Sequence, residues 1–203
     1  LDAPPPLSGA SCVVDRARGK VYMHGGYQPN VGPSNSGWQY ALTGQVGWQA
    51  TWLWSFTDNP SPAVFNHTAI WDDRRSRMVV FGGQDASMAN TNALTFMQDT
   101  LGFGWSWPTI NATGTPPSPR HGMVSIYDPV GDRMLIFGGT TNSLFTTNDL
   151  FQLSFDPVPH WSQLPPPGAP QTGFVDAGLL GAGGRLELRL DLGAGVILHL
   201  SRG

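Results

Sequence analysis

Three pairs of adjacent glycines recur at nearly constant spacing along the first 164 residues of the chain. They are Gly25-Gly26, Gly82-Gly83 and Gly138-Gly139. Three other residues recur at the same spacings of 57 and 56 residues, and we call each set of equivalent positions a column. The columns are Asp15, Asp72 and Asp128, then Asn35, Asn92 and Asn148, then Trp48, Trp105 and Trp161. Four columns in one register predict an internal repeat, and therefore a structural unit that recurs three times.

Each repeat begins with two short apolar segments that a turn of four residues separates. The first segments are Ser11–Asp15, Thr68–Asp72 and Val124–Asp128, and the second are Lys20–His24, Arg77–Phe81 and Arg133–Phe137. Their β-branched and aromatic residues are typical of strands, and the polar or Gly/Pro-bearing turns are typical of hairpins. The aspartate that ends each first strand is predicted to meet the basic residue five positions later. A third strand is predicted near the repeated asparagine, and a fourth at the repeated tryptophan.

Four short antiparallel strands in each repeat predict the blade of a β-propeller. The double glycine fits this interpretation, because a strand that turns sharply beside a neighbouring blade needs a positive φ and no Cβ. The repeated tryptophan is expected to pack between adjacent sheets. The repeated glycines, aspartates and tryptophans are therefore interpreted as structural residues.

Composition excludes several other classes of protein. Lys20 is the only lysine and Glu187 the only glutamate, which argues against an all-α fold because these residue types support exposed helices. A net charge of -3 without a run of basic residues makes nucleic acid a poor partner. No apolar stretch approaches the roughly 18 residues of a membrane span. The only cysteine, Cys12, cannot form an internal disulfide and leaves the redox compartment undecided.

The chain resembles the kelch-repeat family, whose pattern joins an Arg/His lead-in, a hydrophobic strand, a double glycine, an Asn-Asp-Leu-like third strand and a distal tryptophan. The third repeat carries this pattern most fully, in Pro119-Arg120-His121-Gly122, Tyr127-Asp128, Phe137-Gly138-Gly139, Asn148-Asp149-Leu150 and Trp161. The first repeat departs from it, since His24 stands where the others carry Phe. The resemblance covers residues 8–164 and implies an all-β, partial kelch-type β-propeller with blades at about 8–60, 61–115 and 116–164.

Beyond residue 164 the sequence changes character. Residues 165–170 are interpreted as a proline-rich linker, and residues 171–203 are rich in glycine and leucine. Strict alternation over residues 185–192 predicts a strand, with residues 196–200 as its partner. Three interpretations remain open: an unrelated strand pair, a stretch outside the natural reading of the gene, or a decayed fourth repeat in which Arg189 and Gly195 occupy the positions of Arg133 and Gly139.

No catalytic or cofactor-binding motif accompanies the repeats. The five histidines lack the spacing of a zinc site, and hydrolase, metalloprotease and phosphate-loop motifs do not occur, so no catalytic residue, metal or cofactor is predicted. The leading hypothesis is a non-catalytic scaffold for protein–protein interaction that is a subunit or fragment of a larger assembly. Residues 28–37 and 83–91, which follow double glycines, are predicted to carry the contacts.

The resemblance also implies that complete rings hold five to eight blades, so three repeats leave an open arc. Apolar faces near Val13 and Val21 in the first repeat, and near Leu150 and Leu153 in the third, are expected to lack neighbours. A partner chain or further blades are expected to cover them, in preference to residues 171–203, whose single alternating strand offers too little apolar area.

Two other functions compete with the scaffold. A lectin-like propeller would bind carbohydrate through the tryptophans outside the repeated column, which are Trp38, Trp52, Trp54 and Trp107. A copper radical oxidase, which the resemblance also admits, would need two histidines, two tyrosines and a cysteine joined to one of the tyrosines. Cys12 is expected to be a buried core residue instead, and the tyrosines at hand are Tyr22, Tyr27, Tyr40 and Tyr127.

Two Asn-X-Thr triplets, at Asn66 and Asn111, are compatible with secretion and glycosylation. They favour an extracellular or cell-surface location, with a cytoplasmic location as the alternative. Asn111 precedes a proline-rich connection and is predicted to be the modified site, whereas Asn66 leads into a strand.

Overall fold

A computed structural model describes the backbone of residues 3–42, 47–51, 62–99, 105–141, 145–165, 175–180, 185–191 and 197–201, and the side chains within 3–42, 62–97, 106–141 and 145–165. In this part of the chain the regular elements are β-strands, and no helix there is long and apolar enough to cross a membrane. The chain divides into two compact units, Leu1–Leu164 and Pro165–Gly203.

The strands of the first unit follow the three repeats. In chain order they are β1 (Ser11–Asp15), β2 (Lys20–His24), β3 (Tyr27–Gln28), β4 (Gly32–Pro33), β5 (Gly37–Ala41), β6 (Gly47–Thr51), β7 (Thr68–Asp72), β8 (Arg77–Phe81), β9 (Leu94–Asp99), β10 (Trp105–Ser106), β11 (Thr113–Gly114), β12 (Arg120–His121), β13 (Val124–Asp128), β14 (Arg133–Phe137), β15 (Thr140–Thr141), β16 (Leu150–Ser154) and β17 (His160–Leu164).

Each repeat forms one sheet, which we call blade 1, 2 or 3, and the strand orders are β1-β2-β5-β6, β7-β8-β9-β10 and β13-β14-β16-β17-β11. Strand β7 lies beside both β1 and β13, so the first strands of the three blades are neighbours. The predicted all-β fold of propeller blades is confirmed. Blade 3 has a fifth strand that was not predicted, because β11 pairs with β17 in parallel.

Apolar side chains fill the space between consecutive blades. Blades 1 and 2 meet at the first junction, whose buried core is Val13, Tyr22, Trp71, Met78, Val80, Met97 and Trp107. Blades 2 and 3 meet at the second junction, whose larger core includes Ile70, Val79, Phe81, Leu94, Met134, Ile136, Phe151, Leu153 and Trp161. Because side chains alternate along each strand, blade 2 gives one face to each junction.

The uncovered faces differ in part from those predicted. Val13 and Leu153 are buried in the two junctions, so the expectation that they lack neighbours is wrong. The exposed positions on β1 are Cys12 and Val14, and Cys12 is therefore not the buried core residue that was expected. Alternation along a strand predicts which residues share a face, but the position of the next blade decides which of the two faces is covered.

The second unit is an antiparallel sheet of three strands, β18 (Val175–Leu180), β19 (Arg185–Asp191) and β20 (Ile197–Ser201), in that order. Its pairing of β19 with β20 corresponds to the predicted strand pair. Strand β18 was not predicted and pairs along the other edge of β19.

Candidate interaction surface

Antiparallel connectivity gives the first unit two faces with different loops. The loops from second to third strand lie on one face, which we call the glycine face, and their described residues are 25–36, 82–93, 138–141 and 145–149. The hairpin turns at residues 16–19, 73–76 and 129–132 lie on the opposite face, which we call the turn face. Long loops on a rigid scaffold are the usual carriers of binding, so the glycine face is the candidate surface.

In blades 1 and 2 the double glycine ties its loop to the segment that leads into the next blade. Gly82 and Gly83 have φ angles of 69° and 96°. The Gly83 N–H donates to the Arg120 carbonyl at 2.9 Å, and a Cβ on Gly82 would lie 2.8 Å from that same oxygen. In blade 1 the Gly26 N–H donates to the Val64 carbonyl at 2.9 Å. Left-handed backbone and close approach therefore both exclude a side chain at Gly82.

Arg120 fixes the lead-in of blade 3. Its side chain is 2% exposed and forms a two-pronged contact with the Asp149 carboxylate, with 3.0 Å between Nη2 and Oδ2. The guanidinium also donates to the Gly138 carbonyl at 3.0 Å. Burial opposes ionisation of Asp149, yet the hydrogen bonds from Arg120 hold the pKa of that carboxyl below its usual value. A buried charge needs such a set of partners.

Two histidines lie inside the first junction. The ring centroids of His24 and His67 are 5.4 Å apart, and the His24 ring lies 4.2 Å from that of Trp107. Burial lowers the pKa of His24 to about 3, helped by the nearby His67, and burial lowers the pKa of His67 to about 4. Both rings are therefore neutral at pH 7. Among the described residues no three His, Cys, Asp or Glu side chains lie close enough together to hold a metal ion.

Among the described residues, each of the three loops of the glycine face carries an exposed large apolar side chain. Val31 is 74% exposed, Met88 53% and Phe145 72%. Val31 and Met88 each stand five residues after their double glycine, and Phe145 stands six residues after its own. Exposed apolar side chains on the loops of a rigid scaffold are candidate contacts for another protein.

Hydrogen bonds fix the loop of blade 2 in place. Gln84 donates from Nε2 to the Met88 carbonyl at 3.1 Å, and Asp85 accepts the Ser87 N–H at 2.8 Å. Asn90 donates from Nδ2 to the Thr140 carbonyl of the blade 3 loop at 2.9 Å. The Met88 tip is thus held by its own loop and tied to the neighbouring one.

On the turn face, the predicted pairing across the hairpin occurs in two blades. Arg77 Nε lies 2.9 Å from Asp72 Oδ2, and Arg133 Nε lies 2.8 Å from Asp128 Oδ2. In blade 1 the partner of Asp15 is Arg18, at 2.8 Å between Nη1 and Oδ2. All three aspartates are buried and accept backbone N–H groups of their own turn.

The residues considered for the two alternative functions are dispersed. Cys12 pairs with Met23 across the hairpin and so lies on the opposite side of the blade 1 sheet from Tyr22. Tyr22 is buried and stacks on Trp71, with ring centroids 5.2 Å apart.

The four tryptophans considered as sugar platforms are placed differently. Trp107 is buried in the first junction and Trp38 is half-buried, whereas Trp52 and Trp54 lie outside the described residues. Burial of Trp107 favours packing rather than sugar stacking.

The tryptophan column and the two glycosylation candidates differ in how far their side chains are buried. In the tryptophan column, Trp161 is buried against Phe81 with ring centroids 5.1 Å apart, while the side chains of Trp48 and Trp105 lie outside the described residues. Of the glycosylation candidates, Asn111 is exposed. Asn66 is half-buried and donates from Nδ2 to Gln84 Oε1 at 3.4 Å.

Comparison with known proteins places this architecture in a family. Residues 1–173 match the sequence model of the KLHDC2/KLHL20/DRC7 Kelch-repeats domain. The Rab9 effector protein with kelch motifs from Bos taurus is 32% identical over 178 residues, which cover 83% of this chain and 44% of that protein. Dynein regulatory complex subunit 7 from Chlamydomonas reinhardtii is 34% identical over 78 residues, 38% of this chain and 6% of that protein.

A solved structure, that of YjhT, shares the fold. It superposes with a TM-score of 0.57 at 15% sequence identity, covering 77% of this chain and 45% of the YjhT chain. The chain thus spans less than half the length of these relatives. With the double glycines, the blade topology and the family match in agreement, the chain belongs to the kelch-repeat family.

Proposed function

We propose that this chain is a non-catalytic scaffold that binds another protein through the glycine face. The observation that carries the proposal is the set of exposed apolar tips, Val31, Met88 and Phe145, one on each blade loop. Residues 28–37 and 83–91, predicted from the sequence to make contacts, contain the first two tips. The third tip extends the proposed surface onto blade 3.

The rigidity of the surface supports this role. In blades 1 and 2 the double glycine holds its loop against the next blade, and Asn90 connects the loops of blades 2 and 3. A surface fixed in advance loses little conformational entropy on binding. The tips are aliphatic or aromatic, so the partner is expected to present apolar side chains rather than a charged segment.

The names of the relatives support protein partners in a general way. One relative is named as an effector of Rab9 and another as a subunit of a dynein regulatory complex. For this chain we propose only the class of partner, which is another protein chain in a larger assembly.

The test compares two double variants that remove equal numbers of apolar side chains from opposite faces. A partner is captured from the extract of the source organism on the immobilised chain, identified by mass spectrometry and purified. Met88→Asp/Phe145→Asp is expected to weaken its binding by at least about tenfold, since buried interface anchors are worth about 2 kcal/mol or more. Val130→Asp/Val158→Asp, on exposed residues of the blade 3 hairpin turn and of the β16–β17 connection, serves as the control. Equal binding by both variants would contradict the proposal.

A further inference from the structure

The methionines of the chain differ sharply in their exposure to solvent. The chain has six methionines, and the structure describes the side chain of each. Four are buried in the cores of the two junctions, and they are Met78, Met97, Met123 and Met134. Met23 is half-buried on β2, whereas Met88 on the glycine face is 53% exposed. Because oxidation of methionine depends on access, an oxidant in solution reaches the Met88 thioether most readily.

The loop around Met88 is held through the backbone of that residue. The Met88 N–H donates to the Asp85 carbonyl at 3.0 Å, and Gln84 Nε2 donates to the Met88 carbonyl at 3.1 Å. The φ angle of Met88 is 61°, in the left-handed region that methionine seldom adopts, so these contacts keep the residue in an unusual conformation. None of them involves the sulfur. A chemical change at the sulfur is therefore expected to alter the surface while the loop keeps its shape.

Hydrogen peroxide is the class of reactant that such a thioether takes. The sulfur donates an electron pair to one peroxide oxygen, an S–O bond forms, the O–O bond breaks, and the second oxygen leaves as water. The sulfur is oxidised by two electrons and the peroxide is reduced. The product, methionine sulfoxide, is polar where the thioether was apolar, and methionine sulfoxide reductases reverse the change.

We propose that Met88 is a reversible oxidation site that controls binding at the glycine face. The control of binding rests on the proposed function, in which Met88 is one of the apolar contacts. A thioether adapts well to an apolar partner surface. A sulfoxide at the same place loses its hydration without gaining a matched donor, which weakens the complex. The four buried methionines are protected in the junctions, so oxidation at Met88 changes the contact and leaves the fold intact.

Cys12 is the other exposed side chain with an oxidisable sulfur among the described residues. Partial burial raises the pKa of its thiol, so the thiol is protonated at pH 7. A protonated thiol is a weaker nucleophile toward peroxide than a thiolate. Cys12 also lies on β1 in the sheet of blade 1, outside the loops of the glycine face. Its oxidation is therefore expected to leave binding at that face unchanged.

The first measurement locates the oxidation and needs no partner. The full chain is treated with a limiting amount of hydrogen peroxide at pH 7, and mass spectrometry of its peptides follows each sulfur separately. Sulfoxide at Met88 is expected to form at least about tenfold faster than at each of the four buried methionines, with Met23 in between. Oxidation of Met88 no faster than that of Met78 or Met134 would overturn the proposal.

The second measurement uses the partner that the wild-type chain captures and that is purified for the loop variants. Oxidised chain is expected to bind it about tenfold more weakly than reduced chain, since a polar group without a hydrogen-bond partner is costly in an interface. Treatment with the two methionine sulfoxide reductases should restore binding. Met88→Leu keeps an apolar side chain without sulfur, so it should bind equally before and after peroxide. Met23→Leu is the matched control and should lose binding on oxidation as the wild type does.

The outcomes separate this proposal from the proposed function. Unchanged binding after oxidation of Met88, or an equal loss in Met88→Leu, would overturn the control of binding by oxidation. The glycine face would still stand as the binding surface if Met88→Asp/Phe145→Asp loses the partner. Full binding by that double variant would instead contradict the proposed function, and the control of binding by Met88 would fail with it.

Discussion

Arg75 of blade 2 and Asp132 of blade 3 form a two-pronged ion pair across the second junction. The distances are 2.9 Å between Nη1 and Oδ1 and 2.8 Å between Nη2 and Oδ2. Tyr127 donates its hydroxyl to the same carboxylate at 2.8 Å. These contacts, led by those from Arg75, lower the pKa of Asp132 from its usual value. In the first junction, Arg18 and Ser76 occupy the positions that correspond to Arg75 and Asp132. Among the described residues, this ion pair therefore forms in the second junction only.

Asp132→Asn is expected to destabilise the fold by about 2 kcal/mol, because it removes a buried charge from a hydrogen-bonded pair. Asparagine suits the position, since the backbone there has a φ of 48° that Asn tolerates. The loss can therefore be assigned to the charge rather than to backbone strain. Urea unfolding measures it, with Asp73→Asn in the exposed turn of blade 2 as the control. Equal unfolding midpoints for both variants would show that the pair contributes nothing.

Gly82 and Gly122 have the same φ of 69° in different surroundings. A Cβ at Gly82 would meet the Met123 side chain and the Arg120 carbonyl, whereas a Cβ at Gly122 would meet nothing within 4 Å. Gly122→Ala is therefore expected to cost about 1 kcal/mol of left-handed strain, and Gly82→Ala about 3 kcal/mol or more because a clash is added. Thermal unfolding of the two variants separates the contributions. Similar losses would show that the close approach to Arg120 is unimportant.

The sequence predicts the repeat better than it predicts the contacts between repeats. The double glycines, the hairpins and the aspartate turns recur at the same positions of each repeat, so the structure of one blade predicts that of the next. The pair of Arg75 and Asp132 could not be predicted in this way, because the two residues belong to different repeats and neither recurs in all three. The other repeats carry Arg18 and Gly131 at the position of Arg75, and Gly19 and Ser76 at the position of Asp132. The positive φ angles of Ser76 and Asp132 could not be predicted either, because Gly19 is the only glycine at this position of the three repeats.

The sequence predicted only part of the candidate surface. Loop length after the double glycines indicated residues 28–37 and 83–91, but the exposure of Phe145 depends on the fold of blade 3. Its position in an apolar strand predicts a core location for Cys12, which the structure shows to be exposed. Cys12 lies on the face of β1 that points away from blade 2, and no pattern within β1 shows which face that is.

Glycosylation is expected at Asn111 if the chain passes through a secretory pathway, as an extracellular location would require. Asn111 is exposed, whereas the side chain of Asn66 binds Gln84 and its backbone N–H donates to the Gly9 carbonyl at 2.8 Å. A glycan needs an asparagine that the transferase can reach. Intact mass after secretory expression should fall to that of the bare chain in Asn111→Gln and stay unchanged in Asn66→Gln. An unmodified wild-type chain would remove the main reason for an extracellular location.

His24 and His67 are expected to make the fold sensitive to mild acid. Burial lowers the pKa of His24 to about 3 and of His67 to about 4, whereas both have ordinary values of 6.5 once unfolded. Below pH 6.5 the unfolded chain therefore binds protons that the folded chain does not, and stability falls as the pH drops toward 4. Between pH 6.5 and 4.5 each histidine should cost on the order of 2 kcal/mol.

The test of this pH dependence is His24→Phe, which installs the residue that Phe81 and Phe137 provide at the same repeat position. The variant cannot titrate at that site, so its loss of stability between pH 6.5 and 4.5 should be about half that of the wild type. Urea unfolding of the variant and of the wild type at several pH values measures the slope. If His24→Phe and the wild type lose stability in parallel, the acid sensitivity does not arise at the first junction.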